Sequence, residues 1–156
     1  MAKGLTYNKK KNPKTSLTPL GWREWVFLPS YNYFKLKAKI DTGARTSAIH
    51  ATNIQIYRKN RSEMVRFQIY QSKSFLDIDT ELISYKKIKS SFGQTETRPT
   101  IYMKIQIGAE IWSTEITLAH RAKLTYPMLI GRNTINKRHI IHSHRSYLAG
   151  SRTIKI

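Results

Sequence analysis

Residues 34–47, which read FKLKAKIDTGARTS, decide how the rest of the chain is interpreted. From Phe34 to Ile40 apolar side chains alternate with three lysines, and this period of two is typical of a β-strand with one buried face. Asp41 follows directly, and Gly43 allows a sharp turn with positive φ to end the strand there. The segment therefore predicts a rigid strand that carries a carboxylate at its tip.

The Asp41–Gly43 triplet also has an ordinary structural explanation. Asp and Gly are favoured turn residues, so an Asp-Thr-Gly turn ends many strands that have no active site. Taken alone, the triplet favours a structural turn over a catalytic one. The rest of the chain has to decide between the two.

Short strands separated by turn signals continue along the chain, and helical periodicity is almost absent. The predicted strands are Gly21–Pro29, Phe34–Ile40, Ser47–Ala51, Asn53–Tyr57, Met64–Tyr70, Leu76–Leu82, Ile101–Ile107, Ile111–Ala119 and Tyr126–Asn133, followed by a last strand or two within His139–Leu148. The first two should form a hairpin, and the polar stretch Lys86–Thr100, with Gly93 at its centre, a protruding hairpin. Residues 133–138 should form a single helical turn, and residues 152–156 one more strand. The pattern predicts an all-β barrel or sandwich with at most one or two short helices.

The length of 156 residues predicts one domain. We expect a basic flexible leader over residues 1–20, a folded domain over 21–150, and a tail over 151–156 that could add a strand at a dimer interface. The absence of cysteine excludes disulfides and thiolate chemistry, and it suits a reducing cytoplasm. No apolar run approaches the length of a membrane span, so no membrane association is expected.

The chain carries 28 basic and 9 acidic residues, a formal net charge of +19. A field of this sign favours polyanionic partners such as nucleic acid, the ribosome or an acidic polypeptide. The alternative is a basic surface that is only solvated. Nucleic-acid binding has no motif behind it, because there is no aromatic RNP pattern, Gly-X-X-Gly loop or zinc knuckle.

Two sets of side chains raise the question of a metal site. Three carboxylates alternate along Asp77–Glu81, and three histidines lie within His139–His144. Such an acidic row more often pairs across a sheet with lysines, of which this chain has many. The histidines lack a His-Glu-X-X-His motif and a helix to carry it, which favours structural or surface roles. We therefore predict no metal.

Two motifs, taken together, change the interpretation of Asp41. One is apolar-Asp-Thr-Gly-Ala at Ile40–Ala44, and the other is apolar-apolar-Gly-Arg-Asn at Leu129–Asn133. This pairing resembles the retroviral-type aspartic peptidases, the retropepsins, in which the glycine-containing strand packs beneath the catalytic turn. The resemblance implies a closed all-β barrel with a flap hairpin.

The match is closer to a bacterial branch, the RimB-like retropepsin-like proteins often called "ATP-dependent zinc proteases". Its motifs are similar to Gly21–Trp25, Lys37–Ala51 and Pro127–Arg132, and the resemblance covers about residues 21–149. No glycine-rich phosphate loop or zinc-ligand signature is present. We therefore expect no cofactor.

The resemblance implies roles for specific residues. Asp41 would be catalytic, and the residues that support it would be Thr42, Gly43, Ala44, Gly131 and Arg132. Lys89–Arg98 would be the flap, with Phe92, Gly93 and Gln94 at its tip. Viral retropepsins usually have an acid after Asp-Thr-Gly-Ala that pairs with the Arg of the second motif, but here that position is Arg45. Either another acid satisfies Arg132 or the dimer contact differs.

The mechanism implied by the resemblance needs two carboxylates around one water. The chain has one Asp-Thr-Gly, so a homodimer would bring together Asp41 from each subunit. Thr42 would hydrogen-bond across the interface. A polypeptide substrate would bind as an added strand, and the net positive charge would favour acidic segments.

A competing function belongs to another class. Members of this branch often accompany a ligase that adds glutamates to a ribosomal protein. The chain would then be a basic, non-catalytic adaptor or regulator of the glutamate ligase.

Overall fold

The computed structural model describes residues 17–90, 92–120, 125–135 and 138–151. Within these ranges the chain forms twelve strands and one short 3₁₀ turn, Pro29–Tyr31. The strands are β1 (Thr18–Gly21), β2 (Arg23–Leu28), β3 (Phe34–Ile40), β4 (Ser47–His50), β5 (Thr52–Lys59), β6 (Ser62–Gln71), β7 (Ser74–Glu81), β8 (Ser84–Lys89), β9 (Thr95–Ile107), β10 (Glu110–Ala119), β11 (Met128–Ile130) and β12 (His139–His142). No helix in the described ranges is long and apolar enough to cross a lipid bilayer.

Six strands form a closed ring. Their order is β10-β4-β11-β3-β2-β9, and β9 pairs with β10 to complete the circle. The predicted β2–β3 hairpin is present, with Arg23 opposite Lys39 at one end and Leu28 opposite Phe34 at the other. The prediction of an all-β fold with closed-barrel character is therefore confirmed.

The core lies inside this ring and beneath a three-stranded meander, β5-β6-β7. Alternation explains its composition, because every second residue of β9, from Ile101 to Ile107, turns inward and is buried. On β6 the inward residues Val65, Phe67 and Ile69 are buried in the same way. Outward residues of these strands such as Arg66 and Lys104 are exposed, so the barrel presents charged side chains to solvent.

Strand β8 extends outside the ring as the first arm of a hairpin. It pairs with the first half of β9, from Ser84 opposite Thr100 to Lys89 opposite Thr95. The arms are longer than the predicted Lys89–Arg98 segment. At the tip Gly93 has φ +81°, and Phe92 is 93% exposed. The protruding hairpin predicted from the sequence is thus present.

Strands β1 and β12 pair in parallel, with Thr18 opposite His139 and Gly21 opposite His142. Residues 18–20 therefore belong to the fold rather than to the predicted leader, and Gly21–Pro29 forms parts of two strands instead of one. The last strand ends at His142 rather than at Leu148, while the predicted strand over residues 152–156 lies outside the described residues. Residues 1–16 lie outside them as well.

Candidate active site

Strand β11 underlies the turn that follows β3. It pairs with β3 on one side, with Ile130 beside Ile40, and with β4 on the other. The Asp41 amide donates to the Ile130 carbonyl at 2.8 Å, and the Arg132 amide donates to the Ala44 carbonyl at 2.8 Å. The turn is therefore attached to β11 and its continuation at both of its ends.

Gly131 allows this close approach. A Cβ added there would lie 2.5 Å from the Thr46 carbonyl oxygen and 3.0 Å from the Ala44 carbonyl oxygen. Both atoms belong to the backbone of the turn, so no side-chain rotation could relieve the clash. The two sequence motifs are therefore neighbours in space because the second supplies a residue without a side chain.

Asp41 lies at the tip of β3 and is partly exposed. Its Oδ1 accepts a hydrogen bond from the Gly43 amide at 2.9 Å, and its carbonyl accepts one from the Ala44 amide at 3.2 Å. The expectation of a positive φ at Gly43 is wrong, since Gly43 is not among the glycines with positive φ. The aspartate side chain closes the turn instead, as aspartates often do. A Cβ at Gly43 would lie 3.2 Å from Asp41 Oδ1.

A buried network of hydroxyls lies beneath the turn, and sequence reasoning missed most of it. The Gly131 amide donates to Ser47 Oγ at 2.9 Å, and Ser47 Oγ donates to Asn133 Oδ1 at 2.9 Å. Thr134 Oγ1 contacts Ser47 Oγ and Thr114 Oγ1. These bonds fix the segment after β11 relative to β4 and β10. The sequence signal was Ser47 at the first position of β4, directly before the apolar Ala48 and Ile49.

Arg132 binds the turn rather than an acid. Its Nη1 donates to the Thr42 carbonyl at 2.9 Å, and none of the carboxylates in the described residues pairs with it. The question raised by Arg45 is thus answered within one chain, because a backbone carbonyl replaces the missing acid. Thr42 itself is exposed, and its hydroxyl has no hydrogen bond within the described part of the chain.

A groove of about 570 Å³ lies between the turn and β8. Residues 43–46 line one side and residues 86–89 the other. Arg45, Lys87 and Lys89 are exposed there, and no described carboxylate forms an ion pair with them. The groove is therefore cationic, a property that sequence reasoning missed because its two walls are far apart in the chain.

One lysine of the groove is neutralised. Lys86 forms an ion pair with Glu115 of β10, and this hydrogen bond holds the pKa of Glu115 below its ordinary value. The Tyr102 hydroxyl donates to the same carboxylate at 3.1 Å. The contact fastens the base of the β8–β9 hairpin to the barrel.

The predicted flap-tip residues, Phe92–Gln94, do not line the groove. They lie at the far end of the hairpin, where the Gly93 amide donates to the Ser90 carbonyl at 2.9 Å. The arm β8, rather than the tip, stands beside the turn in a single chain.

Neither set of candidate metal ligands forms a cluster. Asp79 pairs with Arg66 at 3.2 Å, rather than with a lysine as expected, and His139 Nε2 lies 3.2 Å from Glu110 Oε2. Across the described ranges no group of three or more His, Cys, Asp or Glu side chains could hold a metal ion.

Comparison with known proteins agrees with this geometry. A family model described as "Retropepsin-like aspartic endopeptidase RimB" matches residues 19–152. A solved structure from Legionella pneumophila, a protein of unknown function (DUF785), superimposes with a TM-score of 0.74 at 25% identity, covering 85% of this chain and 98% of that one.

Curated relatives are named for a different activity. Probable α-L-glutamate ligases of Shewanella pealeana and Shewanella halifaxensis are 32% and 33% identical over 137 and 135 residues. The matches cover 85% and 84% of this chain, which spans only 30% of the length of each relative. Because the family model matches most of this chain, the chain belongs to the RimB-like family of retropepsin-like proteins.

Proposed function

We propose that this protein is an aspartic endopeptidase that works as a homodimer, with one Asp41 from each subunit. The observation that carries the proposal is the position of Asp41, a partly exposed carboxylate on a turn braced from beneath by β11. One ionised carboxylate would take a proton from a shared water, while its protonated mate polarises the scissile carbonyl.

Stoichiometry supports the dimer. The reaction needs two adjacent carboxylates, and the sequence contains one Asp-Thr-Gly. A two-fold axis beside Asp41 would supply the second from an identical chain. The exposed Thr42 hydroxyl, which has no hydrogen bond within the described part of its own chain, would then bond across this axis.

The groove supports a polypeptide substrate with acidic side chains. An extended peptide could lie between the turn and β8, pairing with the strand as an added strand does. Arg45, Lys87 and Lys89 would attract carboxylates of the substrate, since no carboxylate in the described residues neutralises them. The β8–β9 hairpin would act as the flap, and the absence of cysteine suits work in the cytoplasm.

The test is hydrolysis of a library of fluorogenic acidic peptides by wild-type protein and by Asp41→Asn. Asp77→Asn is the matched control, because it removes the same charge from β7. We expect Asp41→Asn to abolish hydrolysis without weakening the dimer seen by light scattering, and Asp77→Asn to retain activity. Removing two carboxylates that repel each other whenever both are ionised should if anything strengthen the dimer.

Mixed dimers give a second, independent readout. When Asp41→Asn chains are exchanged into the wild type, activity should fall as the square of the wild-type fraction. A linear fall, full activity from a strict monomer, or activity in Asp41→Asn would rule out the proposal.

A second candidate function rests on the relatives' names. The probable α-L-glutamate ligases contain the matching segment as 30% of a longer chain, which supports a role for this protein as a basic adaptor or regulator of such a ligase. Ribosomal proteins would then be indirect partners, reached through the ligase. If the protein is an adaptor, Asp41→Asn should still bind the ligase and change its rate. If it is a peptidase, Asp41→Asn should lose its function.

A further inference from the structure

Cations and aromatic rings are interleaved on the outer face of the β2–β3 hairpin, and none of their residues lines the groove. The register places Trp25 opposite Lys37 and Phe27 opposite Lys35. Since opposite residues share a face, Trp25, Lys35 and Lys37 stand together, partly exposed, on the outside of the barrel, whereas Phe27 is buried. We call Trp25, Lys35, Lys37 and Lys39 with their neighbour Arg23 the hairpin face.

Two ammonium groups converge on one ring of this face. Lys35 Nζ lies 3.9 Å from the centre of the Trp25 ring, and Lys37 Nζ lies 5.3 Å from it. Trp25 is stacked in turn on Tyr147, with ring centres 5.7 Å apart. The indole therefore orients both lysines through cation–π contacts.

Arg23 is held in a similar way. Its guanidinium lies 4.6 Å from the Trp22 ring centre and 5.0 Å from that of Tyr147. It also donates to the Tyr126 hydroxyl at 2.9 Å and to Ser146 Oγ at 3.0 Å. All of these partners are neutral, so the positive charge of Arg23 is positioned without being cancelled.

No acid balances this charge from the elements that form the face. β2, β3 and residues 138–151 contain one carboxylate, Glu24. It is fully buried, and it accepts hydrogen bonds from the Gly21 amide at 2.8 Å and the Ala149 amide at 3.2 Å. Arg23 moreover stands directly opposite Lys39, and like charges in that position destabilise a sheet. An anion bound at the face would relieve this repulsion.

The arrangement fits a nucleic-acid strand better than an acidic peptide. Lys35, Lys37 and Lys39 share one parity of β3, so their Cα atoms recur about every 6.8 Å along a straight row. A row of evenly spaced cations suits the repeating phosphates of a single strand. Trp25 is already covered by Lys35 and stacked on Tyr147, but the partly exposed Trp22 beside the row offers a ring for stacking with a base, which a peptide of carboxylates would leave unused.

We propose that the hairpin face binds single-stranded nucleic acid, with phosphates on Lys35, Lys37 and Lys39 and a base against the exposed part of Trp22. This site is separate from the groove and makes no use of Asp41. It would hold the protein on an RNA or single-stranded DNA while the groove remains open.

The experiment is fluorescence anisotropy with a labelled oligouridine, repeated with oligothymidine and with labelled poly-glutamate. The variant is Lys35→Gln with Lys37→Gln. The matched control is Lys87→Gln with Lys89→Gln, which removes the same charge from the groove. Losing two phosphate contacts should make the slope of log affinity against log salt concentration shallower by about 1.4. The ratio of wild-type to variant affinity should therefore shrink about sevenfold between roughly 50 and 200 mM salt. The control should keep the wild-type slope.

Because Lys35 packs on Trp25, the double variant could also disturb the fold, so thermal melts accompany the titrations. The single variant Lys39→Gln, which removes an exposed side chain, should lower the slope by about 0.7. Peptide hydrolysis should be unchanged in the Lys35 and Lys37 variant. Equal losses in both double variants, no oligonucleotide binding near 50 mM salt, or poly-glutamate binding that the hairpin-face variant abolishes equally would overturn the proposal.

Discussion

Replacing Gly131 by alanine should displace the turn that carries Asp41. The new Cβ would meet the Thr46 carbonyl oxygen at 2.5 Å, the Thr46 carbonyl carbon at 2.6 Å and the Ala44 carbonyl oxygen at 3.0 Å. Overpacking of this kind costs about 1–3 kcal/mol. For a chain of this size, that corresponds to a fall of about 2–12 °C in melting temperature.

The loss of activity should be larger than the loss of stability. The turn has to move away from β11 to make room, and a misplacement of about 1 Å at a reacting group can cost about a hundredfold in rate. On the proposed function, peptide hydrolysis should therefore fall by about that factor at a temperature where the variant is still fully folded.

Circular dichroism melts and hydrolysis assays on the same samples test both parts. Gly150→Ala is the control, because its Cβ would meet no atom within 4 Å although its φ of +89° strains any other residue. It should lower the melting temperature while leaving hydrolysis intact. If Gly131→Ala melts like the wild type, or if its hydrolysis falls no further than that of Gly150→Ala, the argument from close backbone approach is wrong.

Other predictions concern the hairpin and the groove. Gly93→Pro cannot keep φ +81° and should impair turnover, while the melting temperature changes little because the tip is exposed; a large loss of stability would instead show that the tip is packed. Lys87→Glu should reduce cleavage of acidic peptides relative to neutral ones, most strongly at low salt, whereas Lys73→Glu should not; a preference independent of salt would contradict the electrostatic explanation. Because the pKa of Glu115 is lowered, its ion pair with Lys86 stabilises the fold above about pH 4.5. This contribution is up to about 1 kcal/mol for a partly exposed pair, and it is lost as the pH falls through the lowered pKa. Melting temperatures of Glu115→Gln should accordingly fall less between neutral and acid pH than those of the wild type, and parallel curves would refute the link.

Much of the architecture could be predicted from local patterns. Alternation along Phe34–Ile40 predicts the strand, its buried face and the position of Asp41 at its end, because a period of two depends only on neighbouring residues. The same reasoning predicts the β2–β3 hairpin and the protruding β8–β9 hairpin. It places Gly131 beneath the turn only with the help of the family resemblance.

Tertiary structure alone decided how the turn is held and what surrounds it. Arg132 binds the Thr42 carbonyl, and Gly43 keeps a negative or extended φ because the Asp41 side chain closes the turn. Neither feature could be predicted from the sequence. The first depends on a distance between atoms of residues far apart in the chain, and the second on the exact position of the Asp41 side chain.

The two basic surfaces make the same point about charge. Sequence alone determined that the protein is strongly basic and nearly all β. Pairing between distant strands then brought β8 beside the turn to form the groove, and turned the lysines of β3 outward around Trp25. Net charge is a sum over the chain, whereas a binding surface requires register and packing, which arise only when strands far apart in the sequence meet.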